Sequence, residues 1–298
     1  MTARAPDALR ASLDARLAAA AQARAMDVNR LRRHLTFQRL LRRLSPADGW
    51  VLKGGYLLEV RLGDVARATR DLDLATTRAL AMHELRESLE RSLADDVDGD
   101  RFVFRVTGAH EHLRDGADAG GPGVQLSVSA DLAGRPFASV RVDIVARPAE
   151  IEGGVEQVEL PPVVYVPDWA PVVVPAVDLA QHAAEKLHAL SQMYAHPRPS
   201  TRVKDLVDLA LLIYSGALDE VRLRERVAAV FAARDGQEAE SGLPGPPESW
   251  RAGYAELARS LDLPSSDLDA AFAEVAALFA RLIHPTPTTA TSTQEPHP

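Results

Sequence analysis

Residues 50–74 read WVLKGGYLLEVRLGDVARATRDLDL, and this segment holds the most informative pattern in the 298-residue chain. It opens on a short apolar run that predicts a strand, and Lys53-Gly54-Gly55 ends that run. The residues from Tyr56 to Leu62 predict a helix that begins directly after the two glycines. Asp71-Leu72-Asp73-Leu74 alternates polar and apolar residues, which is typical of a strand with one buried face.

The glycines and aspartates of this segment are typical of a phosphate and metal site. Two glycines at a helix start let the backbone approach a phosphate, and the free N–H groups of that helix end face the anion. Asp71 and Asp73 lie two residues apart on a strand, so both project from one face. Their like charges repel, and Mg²⁺ relieves this by bridging carboxylates to substrate phosphates. Asp143, on the alternating segment 137–145, is the natural third metal ligand.

The remaining pattern predicts an α+β fold with two lobes. Residues 1–172 are expected to form a mixed sheet with flanking helices, and residues 173–284 a helical lobe. The Thr/Pro-rich tail, 285–298, is predicted to be disordered. Residues 148–175 are rich in proline and valine and predict an extended connector, with room for an edge strand. Predicted helices cover 7–44, as one or two, then 80–95, 177–194, 201–215, 218–234, 248–261 and 266–284, and predicted strands cover 102–107, 124–131 and 137–145.

Composition excludes several classes of protein. Cysteine is absent, which excludes disulfides and thiolate metal sites. No apolar run approaches the roughly 20 residues that span a bilayer, so we expect a cytoplasmic protein without a membrane segment. The net charge of -8 does not suit a general nucleic-acid binder, yet residues 1–43 hold ten arginines against three aspartates. This basic segment is expected either to attract phosphate or to form a solvated helix face.

Lysine is rare in this chain, which contains 31 arginines but only Lys53, Lys186 and Lys204. A bias toward arginine would replace most surface lysines. The compact ammonium group of lysine is not reproduced by a guanidinium. The three lysines are therefore candidates for functional positions.

Four sequence blocks resemble a known family, in its order and roughly its spacing. They are VLKGGYLL at 51–58, RDLDL at 70–74, AEKLHAL at 184–190 and RVKDLVDL at 202–209. The arrangement resembles the nucleotidyltransferase superfamily that includes DNA polymerase beta. More closely, it resembles the AbiEii/AbiGii toxin family of bacterial toxin–antitoxin systems. The resemblance covers about residues 45–215.

The resemblance implies a function and a set of site residues. It implies a toxin that uses Mg²⁺ or Mn²⁺ to move NMP from an NTP to an RNA acceptor, above all a tRNA 3′ end. It also implies a cognate antitoxin as partner. The catalytic residues implied are Asp71, Asp73, Lys186 and Asp205, the triphosphate-binding residues are Lys53, Gly54 and Gly55, and the metal ligands are Asp71, Asp73 and Asp143.

Two other functions fit the same sequence. The acceptor could be a small molecule, such as an aminoglycoside, or a protein. Alternatively, the chain could bind a nucleotide or a partner without turnover. The family usually has a small hydroxyl residue after the two glycines, and Tyr56 at that place keeps the second alternative open.

Several of the polar residues also have a structural interpretation. Asp205 and Asp208 could be surface carboxylates paired with Arg202 and Lys204. His182 and His188 do not share a helix face, so packing or hydrogen bonding is expected of them rather than metal binding. Thr69 precedes Asp71 by two residues, which suggests that modification of Thr69 would add charge near the triphosphate.

Overall fold

The computed structural model describes residues 6–44, 49–76, 78, 81–112, 123–192, 202–236, 239 and 242–284 of the chain. The tail from Pro285 lies outside these residues, so its predicted disorder stays a prediction. The helices are α1 Pro6–Ala23, α2 Val28–Leu41, α3 Gly54–Leu62, α4 Met82–Leu93, α5 Pro148–Ile151, α6 Leu179–Ser191, α7 Val203–Ser215, α8 Glu220–Asp235, α9 Arg251–Ser260 and α10 Leu268–Ile283. The strands are β1 Trp50–Lys53, β2 Asp71–Thr76, β3 Phe102–His112, β4 Gly123–Leu132, β5 Arg135–Ala146, β6 Val155–Leu160 and β7 Val172–Val177.

The strands form one seven-stranded sheet in the order β3-β4-β5-β2-β1-β7-β6. Strand β2 runs parallel to β5 and antiparallel to β1, and β1 runs parallel to β7. The predicted mixed sheet with flanking helices is therefore confirmed. Strand β2 lies at its centre, and Leu72 and Leu74 are buried while Asp71 and Asp73 project from the other face.

The segment predicted as an extended connector, 148–175, instead supplies two strands. Strand β6 lies at the sheet edge, as the prediction allowed, but β7 is an interior strand between β1 and β6. The sequence pattern was ambiguous because β7 contains Pro175, which lacks the N–H that a ladder position normally uses. Tertiary pairing with β6 on one side and β1 on the other overrides that local signal.

Buried apolar residues form two clusters. The first cluster joins the sheet to α1, α2 and α4, and the second cluster includes residues from all five helices α6, α7, α8, α9 and α10. Leu58 of α3 packs in the second cluster, whereas Leu57 packs in the first, so α3 contacts both. The division into 1–172 and 173–284 stays a prediction, and the first cluster continues to Val177. None of the helices formed by the described residues is long and apolar enough to cross a membrane.

The basic N-terminal helices are bound to the rest of the chain. Asp100 is fully buried and accepts hydrogen bonds from Arg39 at 2.6 Å and from Arg43 at 2.6 and 2.7 Å. Hydrogen bonds from guanidinium groups to carboxylates or carbonyls of the chain are made by Arg10, Arg16, Arg24, Arg30, Arg32, Arg39, Arg42 and Arg43. A simple solvated helix face does not describe this set, because all of these arginines except Arg24 are at least partly buried and each binds a group of the protein.

Candidate active site

Three neighbouring strands bring two of the predicted carboxylates and a predicted lysine to one level of the sheet. Asp73 of β2 pairs in register with Lys53 of β1 on one side and with Asp143 of β5 on the other. Asp73 and Asp143 both line a cleft between the sheet and the C-terminal helices. Asp71 does not line this cleft, since its Oδ1 accepts a 2.6 Å hydrogen bond from Arg141 Nε.

The cleft has a volume of about 220 Å³ and is strongly charged. The strands supply Asp73, Asp143 and Lys53, whereas the C-terminal helices supply both cations and carboxylates. Among the described residues, the charged side chains that line the cleft are the cations Lys53, Arg67, Arg147, Lys186, Arg202 and Arg234 and the carboxylates Asp73, Asp143, Glu185 and Asp205. Cations outnumber carboxylates, so the cleft suits a bound anion. The carboxylates place oxygen atoms beside that anion.

Gly54 makes room for Asp73. Its φ is +67°, and a Cβ at this position would lie 2.0 Å from Asp73 Oδ2. The next residue, Gly55, donates its backbone N–H to the same oxygen at 3.3 Å. The sequence predicted that the glycines cradle a triphosphate, and that role stays a prediction. The structure shows that Gly54 and Gly55 also place a carboxylate at the start of α3.

Substituting Gly54 should therefore disrupt the site. We expect Gly54→Ala to lower transfer activity by about 100-fold, because the new Cβ displaces Asp73 by an ångström or more. Gly63→Ala is the matched control, since Gly63 has a φ of +64° but no heavy atom near its absent Cβ. Both positions have a positive φ, which any side chain disfavours. Rates of labelled-nucleotide transfer that fall equally in the two variants would contradict the steric explanation.

The electrostatic state of Asp73 is unusual. Burial and the neighbouring Asp143 raise the pKa of Asp73 to about 6, although Lys53 acts in the opposite direction. The charge of this carboxylate is thus incompletely balanced by the protein, as expected of an oxygen donor to a cation. Among the described residues, however, no group of three His, Cys, Asp or Glu side chains is arranged as a ready metal site.

Lys186 joins α6 to α7 through an ion-pair network. Its Nζ donates to Asp208 at 2.7 Å and to Asp205 at 3.0 Å. Asp208 also receives two 2.9 Å hydrogen bonds from Arg67, and Asp205 receives one of 3.3 Å from Arg202. Burial acts to lower the pKa of Lys186, but Asp208 and Asp205 outweigh it and raise the pKa above its ordinary value. Lys186 is therefore charged at neutral pH.

The structure corrects the expected surface position of Asp208 and agrees in part with the expected pairing of Asp205. Asp208 was expected at the surface, but it is fully buried and its partners are Lys186 and Arg67 rather than Arg202 or Lys204. Asp205 does pair with Arg202, as one interpretation required, yet it also lines the cleft beside Lys186. The sequence analysis did not predict that Asp208 would be a buried partner of both Lys186 and Arg67. The available signal was its spacing three residues after Asp205, which places both carboxylates on one helix face.

Two of the three lysines, Lys53 and Lys186, line the cleft. Lys53 forms an ion pair with Glu185 at the cleft wall, and Lys186 is held as described above. Lys204 is exposed on α7 and does not line the cleft. Sequence reasoning also missed Glu185, whose pKa is lowered because the cations Lys53 and Arg234 outweigh its burial.

Tyr56 and Thr69 both point away from the cleft lining. Tyr56 is buried, and its ring packs edge-on against Phe37 with centroids 5.0 Å apart. It therefore fills the core behind α3 rather than the place of a phosphate ligand. Thr69 is also buried, where its side chain lies against Gly55 and its N–H donates to Glu59. A modifying enzyme would have to open this region before reaching the Thr69 hydroxyl.

Comparison with known proteins identifies the family. The family described as nucleotidyl transferase AbiEii toxin of type IV toxin–antitoxin systems matches residues 38–277. Among solved structures, the chain is similar to MenT4, a nucleotidyltransferase toxin from Mycobacterium tuberculosis H37Rv, with 20% identity, a TM-score of 0.54, and coverage of 92% of this chain and 90% of that one. It also matches JHP933 from Helicobacter pylori with 16% identity, a TM-score of 0.40, and coverage of 85% and 90% of the two chains.

None of the curated proteins compared with the chain matches it. The family match spans most of the chain and includes both glycines, the carboxylates of β2 and β5, and the ion-pair network of α6 and α7. The chain therefore belongs to the AbiEii family of nucleotidyltransferase toxins of type IV toxin–antitoxin systems.

Proposed function

We propose that this toxin transfers NMP from an NTP to the 3′ end of an RNA, with tRNA as the acceptor and Mg²⁺ or Mn²⁺ as the cofactor. The observation that carries the proposal is the charge distribution of the cleft. Asp73 and Asp143 lie side by side on β2 and β5, and Lys186 of α6 and Arg67, in the segment before β2, contribute cations to the same cleft. An NTP fits this cleft for two reasons. Its phosphates require cations, and the carboxylates would hold the metal that stabilises the charge at the reacting phosphorus.

The metal ligands in this proposal are Asp73 and Asp143, joined by Asp71 once it exchanges its ion pair with Arg141. The raised pKa of Asp73 supports the assignment, because a cation would supply the balancing charge that this carboxylate lacks. The bound metal would polarise the phosphoryl oxygens and lower the pKa of an attacking hydroxyl. The cognate antitoxin that the family implies is expected to oppose this activity.

The helical side of the cleft would bind and orient the phosphates. Lys186 is charged and positioned by Asp205 and Asp208, and it would neutralise a phosphate whose oxygens replace one of these carboxylates. Lys186 and Arg202 hold the pKa of Asp205 below its ordinary value despite burial. A carboxylate with a lowered pKa is a poor proton acceptor. We therefore assign Asp205 to positioning Lys186 rather than to accepting a proton from the attacking hydroxyl.

A labelling experiment tests the proposal. Purified protein is incubated with total bacterial RNA, Mg²⁺ and each α-labelled NTP in turn, with and without chelator. Label in a tRNA-sized band is expected, and it should be lost when the RNA 3′ diol is first oxidised with periodate. Lys186→Ala should abolish labelling, whereas Lys204→Ala, an exposed lysine on the neighbouring helix, should retain it.

The negative outcomes separate the alternatives. Pyrophosphate release without labelled RNA would favour a small molecule or a protein as acceptor. Nucleotide binding with neither product would favour a module without turnover. Labelling that survives periodate oxidation would contradict transfer to a 3′ end.

A further inference from the structure

His182 is a buried histidine that lines the cleft. It lies in the first turn of α6, with 2% of its surface exposed. Within the described part of the chain, neither ring nitrogen has a hydrogen-bond partner. Buried polar groups are rarely left in this condition, so the exception needs a reason.

The charges around His182 indicate what it would bind. Burial, then Lys186 on its own helix, Arg61 of α3 and Lys53 of β1, lower its pKa well below the ordinary value, and Asp205 of α7 opposes them. The ring is therefore neutral near pH 7 and offers one N–H donor. A group that sits among three cations is placed to meet an anion that those cations attract.

His188 on the same helix shows the difference. It is also completely buried, yet its Nε2 lies 3.1 Å from both carboxylate oxygens of Asp235. Its ring packs edge-on against Phe231 with centroids 4.9 Å apart. The expected packing and hydrogen-bonding role is thus confirmed for His188, which lies outside the cleft lining, whereas His182 has no such partner among the described residues.

We propose that His182 donates a hydrogen bond to the β- or γ-phosphate of the bound NTP and so helps the cleft select a triphosphate. The inference rests on the proposed function. The strand carboxylates Asp73 and Asp143 mark the reacting end of the nucleotide. His182 lies instead on α6, one turn from Lys186, among the cations that would attract the terminal phosphates.

Access to the ring requires a rearrangement of the neighbouring side chains. Lys53 and Lys186 are held by Glu185, Asp205 and Asp208. Phosphate oxygens can replace these carboxylates as partners of the two lysines. The ring nitrogens of His182, which the surrounding side chains now cover, would then be reached by the same phosphates.

Binding of inorganic tripolyphosphate by calorimetry tests the inference, since this probe does not depend on the preferred base. His182→Phe is expected to weaken binding about tenfold, the loss of one hydrogen bond to a charged acceptor. It should raise the KM for NTP similarly in the RNA-labelling assay with a smaller effect on kcat. His182→Gln keeps an N–H donor and should retain most of the affinity. The melting temperature of His182→Phe should equal or exceed that of wild type, because an unsatisfied buried group is removed.

His188→Phe provides the comparison for stability, and it should lower the melting temperature because it breaks the contacts of the ring with Asp235 and Arg234. Wild-type affinity in His182→Phe, or a melting temperature that falls as in His188→Phe, would overturn the role of His182 alone. A wild-type protein that binds no tripolyphosphate and labels no RNA would overturn the proposed function and this inference together.

Discussion

Asp73→Asn is expected to abolish nucleotidyl transfer while leaving the protein at least as stable as wild type. The side chain keeps its size and can still accept the N–H of Gly55, but it loses the charge that a divalent cation requires. We expect a loss of activity of about 10³-fold or more, the scale typical of removing a major electrostatic contribution to catalysis. The measurement is the rate of label transfer at saturating NTP.

The stability of Asp73→Asn should depend on pH in a defined direction. Burial and Asp143 raise the pKa of Asp73 to about 6, so the folded state disfavours its ionised form. The protonated Asp73 carboxyl therefore contributes its full stabilisation of the folded state below the unfolded pKa of about 4. This contribution is lost as the pH rises through about 6. The variant should match wild type at low pH and melt at a higher temperature above pH 6.

The control for Asp73→Asn is Asp131→Asn, which removes a carboxylate of β4 that is ion-paired with Arg105 away from the cleft. This change should leave the transfer rate unaffected. A variant Asp73→Asn that keeps a tenth of wild-type activity, or that melts below wild type at pH 8, would contradict the role given to this carboxylate.

Asp208→Asn is expected to be the most destabilising conservative change in the site. It leaves Lys186 and Arg67 buried without their shared carboxylate, and breaking a buried ion pair from one side costs about 3–5 kcal/mol. The pKa of Lys186 is raised in the folded state, so its stabilisation is present at all pH values below about 10.4, the ordinary lysine pKa, and is lost only as the pH rises beyond it. Denaturant unfolding at pH 7 measures the loss.

Asp205→Asn provides the comparison, because it also removes one carboxylate contact to Lys186 but at the cleft wall. Its expected effect is a smaller loss of stability and a larger loss of transfer activity per folded molecule. Equal free energies of unfolding for the two variants would show that burial of Asp208 does not matter. Equal activities would show that Asp205 has no role at the cleft.

The local pattern of the central segment predicted its structure well. Alternation in Asp71-Leu72-Asp73-Leu74 predicted β2, and the two glycines predicted the start of α3, because both signals depend on backbone geometry that neighbouring residues determine. The mixed sheet was also predicted. Strand β7 was not, because its proline weakens the local signal and only pairing with β1 and β6 makes it an interior strand.

The sequence by itself determined which residues could form the site: two glycines before a helix, carboxylates on strands, and lysines retained in an arginine-rich chain. Only the tertiary structure decided their partners. It pairs Asp71 with Arg141, buries Asp208 between Lys186 and Arg67, and leaves the ring of His182 without a described partner. The physical reason is that charge and burial depend on residues distant in the chain. Periodicity reports the face from which a side chain projects, but the group it meets there is set by how sheet and helices pack.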